Sequence, residues 1–167
     1  MNYLKSILLS FIFLASHSSQ LLAQISTKAK QPNIVFIISD DHAFQAIGAY
    51  GSRFKDENLT PHLDSIAKDG MLFERAYVAN SICAPSRAVL LTGKYNHING
   101  LKDNGPRRFF DGNQQQVQKL LKQKEYQTAW IGKWHLQTLP SGFDFFRILP
   151  DQGQYFQPNF INMPNDT

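Results

Sequence analysis

The amino-acid sequence predicts an α/β domain with a mostly parallel sheet flanked by helices. Three observations carry this. Asn33 to Ser39 is a nearly continuous run of apolar, mostly β-branched residues, the pattern of a strand buried on both faces of a parallel sheet. Such strand-like runs alternate with segments bearing helix caps, which is the order of an α/β chain. The first and last of these runs also end in charged clusters, where open α/β sheets place their ligands.

Taken in order, the first strand ends in Asp40-Asp41-His42. Thr60-Pro61 is an N-cap followed by proline at the first helical position. Leu63, Ile66 and Ala67 form that helix's apolar stripe, and Gly70 stops it. Met71 to Ala79 reads as a second strand, interrupted by Glu74 and Arg75. Ser86 to Leu91 forms a helix closed by Gly93, with Pro85 suited to its first turn. Gln114 to Lys124 is a further helix, with Val117, Leu120 and Leu121 on one face. Thr128 to Ile131 is a third strand, leading into Gly132-Lys133-Trp134-His135. Asn99-Gly100, Asn104-Gly105-Pro106 and Asp111-Gly112 punctuate the turn-rich stretch between. From Pro140 onward no helical or strand periodicity shows, although the stretch is too aromatic for a disordered tail. A long irregular segment of this kind predicts that the chain is the N-terminal part of a larger domain.

The ends and the composition narrow the setting. Lys5, the apolar run Ser6 to Ala15 and the small residue of Leu21-Leu22-Ala23 form a secretory signal pattern over residues 1–23. That predicts an exported protein, periplasmic or secreted, with residues 24–31 as a linker. The apolar run falls short of the about 20 residues a transmembrane helix needs, and no cysteine near the cut suggests a lipid anchor. No membrane anchor is expected. The net charge of +4, with no basic block, gives little footing for nucleic acid and suits an anionic substrate.

Three clusters bear chemistry. Asp40 and Asp41 are adjacent carboxylates that repel each other unless a cation lies between them. Two hard oxygen donors suit Ca²⁺ or Mg²⁺ rather than zinc, whose usual His and Cys spacing is absent. Aspartates are also common turn and cap residues. Cys83 is the only cysteine, so no internal disulfide explains it; a small buried thiol is its ordinary alternative. Pro85 places it at or just before a helix N-terminus, which favours anionic states of sulfur or oxygen. Arg87, one turn on, offers a planar fork of donors suited to sulfate or phosphate. Lys133 and His135, two apart, would face the same side of an extended segment. They supply a point charge and a proton-exchanging group, although the pair taken alone reads more readily as ordinary surface residues.

The run Cys83-Ala84-Pro85-Ser86-Arg87 with Leu91-Thr92-Gly93-Lys94 resembles the signature of the formylglycine-dependent sulfatases, of the alkaline phosphatase superfamily. Pro32-Asn33-Ile34-Val35 through Asp40-Asp41 and Gly132-Lys133-Trp134-His135 extend the match over most of the chain. The resemblance implies an alkaline phosphatase-like fold, with residues 32–167 as the N-terminal portion of the catalytic domain. It implies Asp40, Asp41 and Cys83 as metal ligands, with Ca²⁺ as the ion. Cys83 would be converted to formylglycine by a maturation enzyme, its hydrate attacking sulfur. Arg87, Lys133 and His135 would hold the hydrate and the sulfate. The substrate implied is a sulfated carbohydrate, such as 6-sulfated N-acetylglucosamine in glycosaminoglycan or mucin glycans. That finer likeness rests on Asp40-Asp41-His42 and on the stretch from Ser141 to Tyr155.

The family's later Asp-Asn pair and its further His and Lys have no counterpart after His135. The chain alone is therefore expected to be inactive. A phosphodiester or phosphonate ester hydrolase of the same superfamily is the first alternative, and an inactive glycan-binding remnant the second.

Overall fold

The computed structural model describes residues 31–51, 53–106 and 109–164. The signal segment 1–23 and all of the linker except Gln31 lie outside the described residues. Residues 31–39 belong to one unit and the chain from Asp40 to a second. Within the first unit, Asn33 to Ser39 forms no strand, and Val35 and Ile37 are 81% and 79% exposed. The strand expected there is absent because a β-strand exists only as one side of a hydrogen-bonded pair; among the described residues no strand pairs with it.

In the second unit, Pro61–Asp69 forms helix α1, with Thr60 as N-cap and Gly70 as C-cap. The cap is built sideways: the Thr60 hydroxyl donates to Asp64 Oδ1 at 3.0 Å and accepts from the Gly48 amide at 2.9 Å. Asp64 Oδ1 also accepts from the Ala49 amide at 2.8 Å, so α1 organises the short 3₁₀ turns before it. Met71 to Ala79 is not a strand, contrary to its β-like composition; Phe73, Tyr77 and Val78 are exposed.

Helix α2 spans Cys83–Thr92 and ends on Gly93 in the left-handed conformation, φ 66°. Its first-turn bond runs from the Ser86 amide to the Ile82 carbonyl, 2.9 Å, and Pro85 costs nothing one residue earlier because the N–H it lacks would have no helical acceptor there. Ala84 and Ala88, one turn apart, are fully buried together with Leu91. Two alanines on one face let other segments approach closely. Helix α3, Asn96–Asn99, follows directly. The buried Asn96 amide donates to the Pro85 carbonyl at 2.9 Å and the Leu101 carbonyl at 2.7 Å, tying α2 to the turn beyond α3.

Helix α4, Val117–Lys122, is shorter than the Gln114 to Lys124 span expected, and its buried residue is Gln118. Val117 and Leu120, expected to face inward, are 46% and 42% exposed. The Gln118 amide instead donates to Gln116 Oε1 and to the Ser141 carbonyl. Hydrogen bonding of a polar side chain decides this helix's orientation, which hydrophobic periodicity cannot register.

The sheet has order β1-β2-β3, with β1 Ala129–Lys133, β2 Phe145–Leu149 and β3 Ile161–Asn162. β1 and β2 are parallel, Ala129 opposite Phe145 and Lys133 opposite Leu149. β2 and β3 are antiparallel, so the sheet is mixed. Both β2 and β3 fall in the stretch after Pro140 that showed no periodicity. A clamp starts the parallel pair: Asp144 Oδ2 accepts from the Thr128 amide at 2.8 Å and its hydroxyl at 3.0 Å, and the Thr128 carbonyl accepts from the Asp144 and Phe145 amides. The core joins α2 to the sheet through Leu101, Phe110, Trp134, Leu136, Phe143, Phe146 and Ile148. Trp134 sits at its centre, edge-on to Phe110, Trp130 and Phe143. Each such ring contributes about 1.5–3 kcal/mol by leaving water.

Candidate active site

The carboxyl end of β1 faces the N-terminal end of α2 across a cavity of about 360 Å³. Asp40, Asp41, Cys83 and Lys133 line it, with Leu149, Gln152, Gly153, Gln154 and Tyr155 from the segment closing β2. Cys83 is the first residue of α2 and half-buried. The helix N-terminus brings partial positive charge to that side of the cavity, although Asn80 Oδ1 and Asn104 Oδ1 already accept from the Ile82 and Ala84 amides, each at 3.1 Å.

Arg87 is the joint between the clusters. Its guanidinium, 7% exposed, donates to the Lys133 carbonyl at 2.6 Å and to Asp40 Oδ2 at 3.2 Å. Lys133 Nζ also reaches Asp40 Oδ2, at 2.6 Å, and donates to Gln152 Oε1 at 2.6 Å. Trp130 Nε1 shares the Lys133 carbonyl at 3.2 Å. Two cations thus converge on one carboxylate oxygen. The hydrogen bond from Lys133 holds the Asp40 carboxyl below its ordinary 3.8; partial burial opposes this, and the charges of Lys133 and Arg87 reinforce it. Asp40 is therefore ionised throughout the neutral range. Asp41 turns away from extended backbone, with φ 57°.

The structure gathers Asp40, Asp41, Cys83, Arg87 and Lys133 in this way, and His135 is not among the residues that line the cavity. β1 ends at Lys133 and His135 has φ 60°, so the segment is not extended and a spacing of two does not by itself align the two side chains. The expectation that spacing alone would align them is corrected by this left-handed turn. The His135 ring is buried, does not line the cavity, and places Nε2 3.2 Å from Asp151 Oδ1. Lys133 and His135 nonetheless grip consecutive residues, Gln152 and Asp151, of one turn after β2.

That turn, closed by a 2.9 Å bond from the Gly153 amide to the Pro150 carbonyl, was not among the expected site residues. Its signal is Phe145-Phe146-Arg147-Ile148-Leu149, a short apolar run followed by polar Asp151 and Gln152. That is the same strand-then-charge pattern that marked Asp40. His42 is exposed, and His97 stacks on Tyr95 at 5.9 Å away from the lining residues.

The donor set fits part of a calcium site. Asp40 and Asp41 bring hard oxygens to one cavity, whereas Ca²⁺ takes about 6–8 of them. Among the described residues no group of three or more His, Cys, Asp or Glu side chains could hold a metal ion.

The sulfatase family model matches residues 32–162. The chain is 46% identical over 136 residues to an N-acetylglucosamine-6-O-sulfatase of Bacteroides thetaiotaomicron, covering 80% of this chain and 24% of that protein. It is 40% identical over 133 residues to mouse (Mus musculus) arylsulfatase G, covering 74% and 25% respectively. Among solved structures it is similar to a protein in complex with its substrate D-glucosamine-2-N,6-O-disulfate, with a TM-score of 0.74, 46% identity, and coverage of 80% of this chain and 26% of that one. It also resembles the protein Ps i-CgsB in complex with k-i-k-neocarrahexaose, at TM-score 0.65 and 34% identity, over 75% and 29%. The chain spans about a quarter of the length of the curated relatives it matches. Its α/β architecture is alkaline phosphatase-like, as in these structural neighbours. A match over residues 32–162 and 46% identity to a curated sulfatase place the chain in the sulfatase family.

Proposed function

We propose that this chain supplies the nucleophile-bearing side of an active site that hydrolyses sulfate esters on a carbohydrate. The substrate class is a glycan carrying 6-sulfated N-acetylglucosamine, as in glycosaminoglycans or mucins. The observation that supports the reading most is Cys83 of the Cys-Ala-Pro-Ser-Arg run at the N-terminus of α2, opening into one cavity with Asp40, Asp41 and Lys133. The similarity to an N-acetylglucosamine-6-O-sulfatase and to a structure holding a sulfated glucosamine supports the substrate class.

On this reading Cys83 is converted to formylglycine by a maturation enzyme, and its hydrate supplies a hydroxyl nucleophile for attack on sulfur. Asp40, Asp41 and residue 83 would be among the ligands of a divalent cation, Ca²⁺ before Mg²⁺, which would supply positive charge to the site. The chain's own residues set up the rest. The α2 N-terminus favours negative charge at position 83. Lys133 offers its ammonium to sulfate oxygens, a charge-assisted contact worth more here than in bulk water. Arg87 ties the nucleophile helix to the Lys133 strand, and Lys133 first, with Arg87 beside it, holds Asp40 ionised. His135, anchored on Asp151, is a candidate proton-exchanging group at the base of the same turn. The N-terminal pattern supports export, to the periplasm or the exterior, where such glycans are met.

The test is peptide mass spectrometry on the segment from Ala76 to Arg87, from a host that contains the maturation enzyme. A formylglycine residue at position 83 is expected. Intact cysteine alone under those conditions would remove the proposed nucleophile.

A further inference from the structure

Gln152 holds an unusual place in the cavity, because it meets the one ammonium there with a neutral oxygen. Lys133 is the last residue of β1, opposite Leu149 in the parallel register. Beyond Leu149 the chain turns at once, with Asp151 at φ 50° and Gly153 at φ 79°. The turn folds Gln152 back over the strand end and brings its Oε1 to 2.6 Å from Lys133 Nζ. Gln152 itself is exposed, whereas the Lys133 side chain is 17% exposed. The turn therefore contributes little burial of its own, and its contact with Lys133 is polar.

The charges nearby explain why neutrality matters. Arg87 and Lys133 both bond Asp40 Oδ2, so two positive charges meet one negative charge and the trio keeps a surplus of one. An amide oxygen can orient an ammonium by its dipole and leave that surplus intact. A carboxylate in the same place would orient it equally well and cancel the surplus. Asp41 brings a second carboxylate to the lining and balances that surplus, so a third would make this wall of the cavity net negative and turn it against anions.

We propose that Gln152 is a positioning residue for anion binding, aiming the Lys133 ammonium into the cavity while preserving its charge. The proposal rests on the reading of the cavity as a sulfate site and names a residue that sets its affinity. A merely structural role for Gln152 predicts the opposite ranking of variants. Gln152→Glu would then be harmless, having kept the acceptor and gained an ion pair, and Gln152→Leu would be the damaging change.

The experiment is a titration of this chain with inorganic sulfate at low ionic strength, where screening is weak. It is followed by amide NMR shifts at residues 132–135 and 152–154, for the wild type, Lys133→Met, Gln152→Leu and Gln152→Glu. Melting curves on each check the fold. Lys133→Met is expected to abolish the shifts. Gln152→Leu is expected to weaken sulfate about threefold through lost aim, and Gln152→Glu about tenfold or more through lost charge. Sulfate affinity in Gln152→Glu within about twofold of wild type, with Lys133→Met inactive in binding, overturns the role of Gln152 and leaves the sulfate reading standing. Unchanged binding by Lys133→Met, or none by the wild type, overturns the sulfate reading and this proposal with it.

Discussion

The guanidinium of Arg87 donates to the backbone carbonyl of Lys133, 46 residues further along the chain. Through this bond a helix-borne motif and a strand-borne motif share one fixed geometry. Because the acceptor is main chain, the joint survives any side chain at position 133. The lysine's charge can then be removed without loosening the two elements, which makes a site variant such as Lys133→Met interpretable.

Arg87 itself is less replaceable. Arg87→Ala removes bonds to the Lys133 carbonyl and to Asp40, and leaves Asp40 with one cationic partner instead of two. A loss of about 1–3 kcal/mol in unfolding free energy is expected, measured by urea denaturation. Arg87→Lys should recover only a part, since an ammonium cannot span both acceptors as the planar fork does. Full recovery by lysine would show that charge, and not fork geometry, is what the joint needs.

Asn96 gives a sharper contrast. Its buried side-chain amide donates to two carbonyls, of Pro85 and Leu101. Asn96→Ala should cost about 1–3 kcal/mol. Asn96→Asp, nearly the same shape, should cost more, because it turns an acceptor toward two acceptors and buries a charge. Equal melting temperatures for the Asp and Ala variants would contradict this.

Gly93 isolates a backbone effect. It closes α2 at φ 66°, and a Cβ there would meet nothing within 4 Å. Gly93→Ala therefore adds no clash, and its cost should be the conformational one alone, about 1–2 kcal/mol. Chemical denaturation of the two proteins measures it, and Gly93→Asn should fall between them.

Acid sensitivity should be traceable to Asp144. Lys122, paired with its carboxylate at 2.6 Å, and then the Thr128 amide and hydroxyl hold its pKa below 3.8. A group lowered in the folded state stabilises fully above its unfolded pKa, and that contribution is lost as pH falls through the folded value. Between pH 6 and pH 3, as rough bounds on that window, the melting temperature of Asp144→Asn should fall less than that of the wild type. It should also start lower at neutral pH. Parallel curves for the two proteins would count against the clamp as the source.

What could be read in the sequence was local. Thr60-Pro61 and Gly70 bound α1, Gly93 ends α2, and Cys83 sits at a helix start, because caps and stops act within a few residues. Thr128 to Ile131 was legible as a strand and needed only to be shifted to Ala129–Lys133. Strands whose existence depends on distant partners were not legible. Asn33 to Ser39 and Met71 to Ala79 have β composition without a ladder, whereas β2 lies in a stretch that showed no period. The nearness of Cys83, Arg87 and Lys133 follows from a helix start and a strand end, whereas that of Asp40 and Asp41 does not, since the run before them forms no strand. Nor was the turn at His135 legible, since a positive φ at a non-glycine residue has no dependable sign in composition.

The place of Cys83 in the first turn of α2 also sets an order of events. Its neighbours Ala84, Pro85 and Arg87 are buried, and Asn96 pins the Pro85 carbonyl. Once α2 has closed, the backbone around the thiol is coiled, hydrogen-bonded and covered on one side. An enzyme that must draw this stretch out as an extended peptide competes against folding for it. On the proposed reading, the fraction of molecules carrying the aldehyde is then decided by a race between two rates. A variant that folds faster would be a better-folded protein with fewer working copies.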